Sequence, residues 1–229
     1  MKTSIVIPVW NALPYLKKAV DSIRKFTADY ELVLVDNNSR SDCVEYIRSI
    51  DCVKIFNASN LGPGEAMNQG IKASSGEFIC LMNSDTQATE NWLPPLIATL
   101  RADPQIGVVA PLCDNSCSVQ TCMALKNYYP ICLMKGYVLP FMCALFPRHI
   151  FTRKGVGLLA TRFRAGNSED SEFCIRLDRA GYLKAVCTSS FIPHALSQSY
   201  RDNGVDNSAA CRDMSKLLND FEEIEYLEA

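Results

Sequence analysis

The sequence predicts an α/β fold in which a mostly parallel, Rossmann-like central sheet is covered by helices on both faces. Two observations carry this. Near-continuous apolar runs, too short for helices, recur at 3–9, 30–36, 52–56 and 77–82, as strands buried on both faces require. Between them lie stretches with apolar residues at helical spacing, and strands that alternate with helices imply parallel pairing.

The first strand is "TSIVIPV" (3–9), a β-branched run. Leu13, Leu16, Val20 and Ile23 then share one helical face, with Asn11 expected as the N-cap and Pro14 in the first turn. "YELVLVD" (30–36) is the second strand, followed by the polar turn "NNSRSD" and a helix around 44–50. "CVKIF" (52–56), the helix "GEAMNQGIKASS" (64–75) and "EFICLM" (77–82) continue the rhythm. Next come "ENWLPPLIATLRADP", a helix that Pro104 closes, and the strand "IGVVAP". Residues 112–136 hold turn residues and cysteines without a period, and are read as an irregular, functional excursion. Regular structure is expected again at "YVLPFMCALF" (137–146), in the helix of "NSEDSEFCIRLDRAGY" with Gly181 as its stop, and in two short strands, "LKAVC" and "FIPH". One domain is expected over 1–205, and the acidic stretch 206–229 is expected to be a peripheral helical tail.

Composition narrows the function. Twenty-three basic residues against 25 acidic ones give a net charge of −2, and no basic stripe interleaved with aromatics is present, so no nucleic-acid partner is expected. The apolar start is broken by Pro8 and Asn11, and the later run "ICLMKGYVLPFMCALF" by Lys135 and Pro140. Neither a signal peptide nor a membrane span is expected. Eleven cysteines, scattered among apolar positions, favour reduced thiols and a cytoplasmic location, with peripheral membrane attachment open. Cys113, Cys117 and Cys122 lack the paired spacing of a zinc site and any nearby histidine.

In open parallel sheets ligands bind beyond the carboxyl ends of the strands. Here those ends are polar: Pro8, Val9 and Trp10 close the first strand, Asp36, Asn37 and Asn38 the second, "NASNLGPG" follows the third, and Asn83, Ser84 and Asp85 close the fourth. Each has a plainer explanation, since Asp36 and Asp85 could merely cap the helices that follow. Glu169, Asp170 and Glu172 could likewise sit in a helix's first turn only because acids favour the positive end of its dipole. "NLGPGEAMNQG" is not a dinucleotide fingerprint, because Met67 stands where the third glycine belongs and the stretch follows the third strand.

Taken in order, "SIVIPVWNALPYLKKAVDSI", "ELVLVDNNSRSD", "NASNLGPGEAMNQGIKASSGEFICLMNSDT" and "GNSEDSEFCIRLDRAGY" resemble successive blocks of the family 2 glycosyltransferases with the GT-A fold, a three-layer α/β/α sandwich. The resemblance runs over about 3–195. It implies a nucleotide-sugar half at about 1–110 and an acceptor half at 111–205. By the same resemblance Pro8, Val9, Trp10, Asp36, Asn60, Gly62 and Asn68 hold the base and ribose of a UDP-, GDP- or dTDP-sugar, with Asn83 and Ser84 beside them. Asp85 matches the last position of the D-x-D metal motif. Asn83 replaces the first aspartate, as in rhamnosyltransferase-like members. Mn2+ or Mg2+ is the implied cofactor, with His194 as a further ligand; an ion of this kind would neutralise the leaving diphosphate. Asp170 matches the general base of an inverting reaction and Glu169 a supporting acid at the acceptor, a glycan or lipid-linked hydroxyl.

Two rivals frame this expectation. A sugar nucleotidyltransferase should carry a glycine-rich loop with Arg and Lys after its first strand, which "PVWNALPYL" lacks. A catalytically silent nucleotide-sugar or glycan-binding module is kept open by Asn83. Additional transferase domains or a homo-oligomer are open as partners.

Overall fold

The computed structural model describes residues 2–114, 130–134, 136–163, 168–205 and 225–228. Eight described strands form one sheet: β1 (Thr3–Val9), β2 (Tyr30–Asp36), β3 (Val53–Phe56), β4 (Phe78–Met82), β5 (Ile106–Cys113), β6 (Ile131–Leu133), β7 (Cys143–Pro147) and β8 (Leu183–Ile192). Their order is β3-β2-β1-β4-β7-β5-β8-β6. The pairs β1–β2, β1–β4, β2–β3 and β5–β8 are parallel, whereas β7 runs antiparallel between β4 and β5 and β6 lies antiparallel on β8.

Helices α1 (Leu13–Phe26), α2 (Ser41–Ser49) and α4 (Leu93–Ala102) bring Leu16, Val20, Ile23, Ile47 and Leu96 onto one face of the sheet against Ile5, Ile7, Leu34 and Cys80. On the other face α3 (Pro63–Ala73) and α5 (Glu169–Arg179) pack Met67, Ile71, Phe173 and Leu177 against Val6, Val35, Ile79 and Phe146. The uninterrupted apolar strands thus divide alternately between two cores, the reason they show no polar face. α3 lies so close to β1 that a Cβ on Gly70 would fall 2.3 Å from a Val6 methyl.

Several expectations need correction. Asn11 does not cap α1: it and Ala12 both take left-handed backbones, at φ 60° and 54°, and Ala12 occupies the cap position. Of "YVLPFMCALF" only the last four residues are strand, the start of Cys143–Pro147. "LKAVC" and the first two residues of "FIPH" belong to one strand, β8, in which Thr188 and Ser190 are buried and Ser190 donates to the Trp92 carbonyl at 2.6 Å. Inside the excursion, Ile131–Leu133 is an edge strand, while 115–129, with Cys117 and Cys122, lies outside the described residues. Cys113 is buried at the end of β5. The helical tail over 206–224 also falls outside them; Glu225–Glu228 is not helical, and Leu227 pairs with Thr152.

At the amino-terminal edge Glu31 ties three segments together. It accepts from the Ser4 hydroxyl (2.5 Å), the Ser75 amide (2.7 Å) and hydroxyl (2.8 Å), and Lys2 (3.4 Å). Burial pushes its carboxyl up, but these donors outweigh burial and hold it down at about 2, from 4.5. A lowered carboxyl stabilises the fold above the unfolded value near 4.5 and loses that contribution as pH falls toward 2. Glu31 is partly solvated, so screening leaves only a fraction of that shift as stability, about 1 kcal/mol at neutral pH. Glu31→Gln is therefore expected to be less stable by about that amount at pH 7. Urea titrations at successively lower pH should show the gap closing below 4.5, and a gap independent of pH would contradict this account.

Candidate active site

The carboxyl ends of β1, β2 and β4 lie side by side, since β1 pairs with both of its neighbours and Val9 is opposite Asp36. Asp36 is buried and accepts from the Ser39 amide at 3.1 Å. Next to it, Asn37 donates to Asn60 Oδ1 (2.7 Å) and the Gly62 carbonyl (3.2 Å), and accepts from the Leu61 amide (3.0 Å) and Asn57 Nδ2 (3.2 Å). One side chain therefore shapes the whole turn that leads into α3. Gly62, at φ 88°, adopts a backbone that suits glycine at the helix cap. Asn37 was visible in the sequence as a strand-end residue, but its organising role was not.

Asn68 is committed elsewhere than the rim surface. Its amide donates to the Leu159 carbonyl at 2.8 Å and accepts from the Leu159 amide at 2.9 Å. The loop it grips also bears on Gly64, where a Cβ would come within 2.9 Å of the Ala160 carbonyl. The same loop is held from α5, because Arg176 pairs with the fully buried Glu172 and donates to the Val156 and Leu158 carbonyls. Of the three acids in the first turn of α5, Glu172 thus serves the scaffold.

At the end of β4, Asp85 and His194 are both almost fully enclosed, with Asp85 Oδ1 3.0 Å from His194 Nε2. Asp85 Oδ2 accepts from the Gln198 amide at 3.1 Å. Burial works to raise the Asp85 carboxyl, but the hydrogen bond and charge of His194 and the Gln198 amide outweigh it, leaving it below its ordinary value. Asp85 is accordingly an anion at neutral pH. Asn83 Nδ2 lies 3.4 Å from the same imidazole nitrogen, so the position of the missing first aspartate faces His194 too.

Asp170 and Glu169 open α5. Asp170 is half-buried and accepts from the Ser171 amide (2.6 Å) and hydroxyl (3.3 Å) and from the Phe141 amide. Burial dominates these donors and raises its carboxyl above the ordinary value, as suits a group that must take a proton. Glu169 is buried, with Oε2 accepting from the Ser168 amide at 3.1 Å. The residue after Phe141 anchors the other cluster: the Met142 carbonyl accepts from the Asn83 amide (2.9 Å) and the Thr86 hydroxyl (3.1 Å). Consecutive residues 141 and 142 thus support the Asp170 carboxylate, through the Phe141 amide, and the Asn83–Asp85 turn, through the Met142 carbonyl.

A strap that sequence reasoning missed crosses the rim. After His194 the chain turns through Leu196 and Ser197, both left-handed, into the short helix α6 (Gln198–Asp202). Ser199 approaches Ser84 at 3.4 Å, Asp202 accepts from the Ala12 amide at 3.0 Å and pairs with Arg40, and Asn203 donates to the Trp10 carbonyl at 3.4 Å. Asn11 donates to Asn203 Oδ1 at 2.5 Å. The Ala12 amide at the start of α1 is thus satisfied by a side chain 190 residues away. Pro8 and Trp10 are half-buried, and Val9 is buried.

Residues 4–151 match the family described as Glycosyl transferase family 2. Glycosyltransferase GlyG of Streptococcus pneumoniae is 32% identical over 113 residues, 45% of this chain and 38% of that protein. The chain spans well under half the length of the curated relatives it matches. Among solved structures, a mannosyltransferase from Pyrobaculum calidifontis in complex with GDP-Man and Mn2+ superposes with a TM-score of 0.68 at 18% identity, over 86% of this chain and 57% of that one. S. aureus TarS 1-349 in complex with UDP gives 0.67 at 15% identity, over 96% and 71%. These likenesses show that the sheet and its two helical layers form the fold that those enzymes share.

Proposed function

The chain belongs to glycosyl transferase family 2 and has the GT-A fold, and on that premise we propose that it moves a sugar from a nucleotide-diphosphate sugar to an acceptor hydroxyl, with inversion and metal assistance. The observation that carries this reading is a pair of differently tuned carboxylates whose surroundings are tied to consecutive residues. Asp85 is held ionised against His194, while Asp170 is raised by burial, and residues 141–142 bind both neighbourhoods. Pairs of titratable groups pushed in opposite directions mark a division of labour between charge stabilisation and proton transfer.

Asp85 and His194 fit a hard divalent ion as an anionic oxygen and an imidazole nitrogen, with diphosphate oxygens and water left to complete the shell. Among the described residues no third His, Cys, Asp or Glu is gathered there. Mn2+ or Mg2+ bound at such a site supplies Lewis-acid neutralisation of a leaving diphosphate. The turn shaped by Asn37, Asn60 and Gly62, with Asp36, Val9, Pro8 and Trp10, receives the nucleoside. Asn68 acts from behind by fixing the 158–160 loop, and Ser84 joins the rim to the strap. Asp170 accepts the acceptor's proton as its oxygen attacks the anomeric carbon, and Glu169 supports that end. The donor half is thus about 1–110 and the acceptor half 111–205, one domain in a cytoplasmic protein whose acceptor is a glycan or a lipid-linked hydroxyl.

Thermal denaturation with UDP-, GDP- and dTDP-sugars and Mn2+ tests this directly. One nucleotide class should raise the midpoint by about 5 °C at saturating ligand, and chelation should reverse much of it. No shift with any of them would refute the reading.

A further inference from the structure

The parallel ladder between β5 and β8 ends where Cys113 faces Ile192. The next residue on the β8 side is Pro193, which has no N–H to continue it. His194 offers the next donor, and a side chain takes it: Asp114 Oδ1 accepts from the His194 amide at 2.8 Å. On the opposite flank the Gln87 amide donates to the Pro193 carbonyl (3.1 Å) and the Ala195 amide to the Asp85 carbonyl (3.0 Å). These two bonds bracket the antiparallel bridge between Thr86 and His194. In such a bridge the N–H of the central residue points away from its partner strand. The His194 amide is therefore turned toward β5, where Asp114 is the group that meets it.

We infer that Asp114 is a positioning residue. Residues 193–195 are clamped between the 85–87 segment on one side and the Asp114 carboxylate on the other, and this clamp fixes the imidazole at 3.0 Å from Asp85. The Asp85–His194 pair, with Asn83 in place of a second aspartate, thereby depends on another carboxylate that acts through the His194 main chain. The consequence for metal binding rests on the function proposed above; the placement of the imidazole against Asp85 does not.

The test separates the two. His149 and His194 are the only histidines, so His149→Gln assigns the 15N imidazole resonances of His194 in metal-free protein. Wild type and Asp114→Asn, whose amide oxygen still accepts, are expected to share one pattern, with Nε2 bonded to Asp85. Asp114→Ala is expected to shift toward an exchanging mixture of tautomers, at a nearly unchanged melting temperature. Mn2+ affinity, read by electron paramagnetic resonance with UDP and in parallel with GDP, should fall about tenfold in Asp114→Ala and be restored in Asp114→Asn. Unchanged imidazole resonances in Asp114→Ala would overturn the inference. Altered resonances with no Mn2+ binding in any variant would uphold the positioning role and refute the metal reading instead.

Discussion

Asp170→Asn is expected to lower sugar transfer by about a thousandfold, within the range that a positioned base supplies, while nucleotide-sugar binding is retained. The substitution preserves shape and the hydrogen bonds accepted from Ser171 and Phe141, but leaves no group to take the acceptor's proton. Donor binding should survive because Asp170 belongs to α5, whereas the turn proposed to receive the nucleoside is built by Asn37, Asn60 and Gly62. The pH profile supplies an independent check. Since burial raises the Asp170 carboxyl, the acid limb of kcat/KM should lie above the ordinary carboxylate range and vanish in the variant. Near wild-type turnover in Asp170→Asn would remove Asp170 from the base position.

Asp85→Asn should have the opposite signature. Its amide oxygen still accepts from Gln198, so the strap stays in place, but the anion facing His194 is gone. Turnover should fall by about a hundredfold or more, as when one stabilising contact to a developing negative charge is removed, and the Mn2+-dependent part of the thermal shift should disappear. Calorimetry of Mn2+ with the nucleoside diphosphate distinguishes the two carboxylates: binding is lost in Asp85→Asn and kept in Asp170→Asn. Equal Mn2+ affinity in Asp85→Asn and wild type would place the ion elsewhere.

β1, β2 and β4 were readable because apolar runs buried on both faces end sharply in polar residues, and β3, a short edge strand, by its place in the alternation. Direction was not readable: "CALFP" has the same apolar character as its neighbours, and nothing local says that it enters between β4 and β5 in the reverse sense. β8 was split in two because Thr188, Ser189 and Ser190 look like a turn, whereas burial of Ser190 is satisfied by the distant Trp92 carbonyl. At the site, the strand ends pointed to the rim, and the structure brings Asn83, Ser84, Asp85 and His194 together there. The strap was hidden, since Asp202 and Asn203 meet Ala12, Asn11 and Trp10 across most of the chain. Asn68 illustrates the same limit: its side chain is spent on a loop 91 residues away.

The proposed function puts the donor's diphosphate and its metal at the carboxyl-terminal rim of the sheet, with Asp85 and His194 at the centre. Anomalous diffraction at the manganese edge, from crystals grown with Mn2+ and the stabilising nucleoside diphosphate, tests it most directly. One peak is expected, bound by Asp85 and His194, with the diphosphate beside it and the nucleoside along Asp36 and Asn60. A manganese peak away from Asp85, or a nucleotide bound outside this rim, would contradict it.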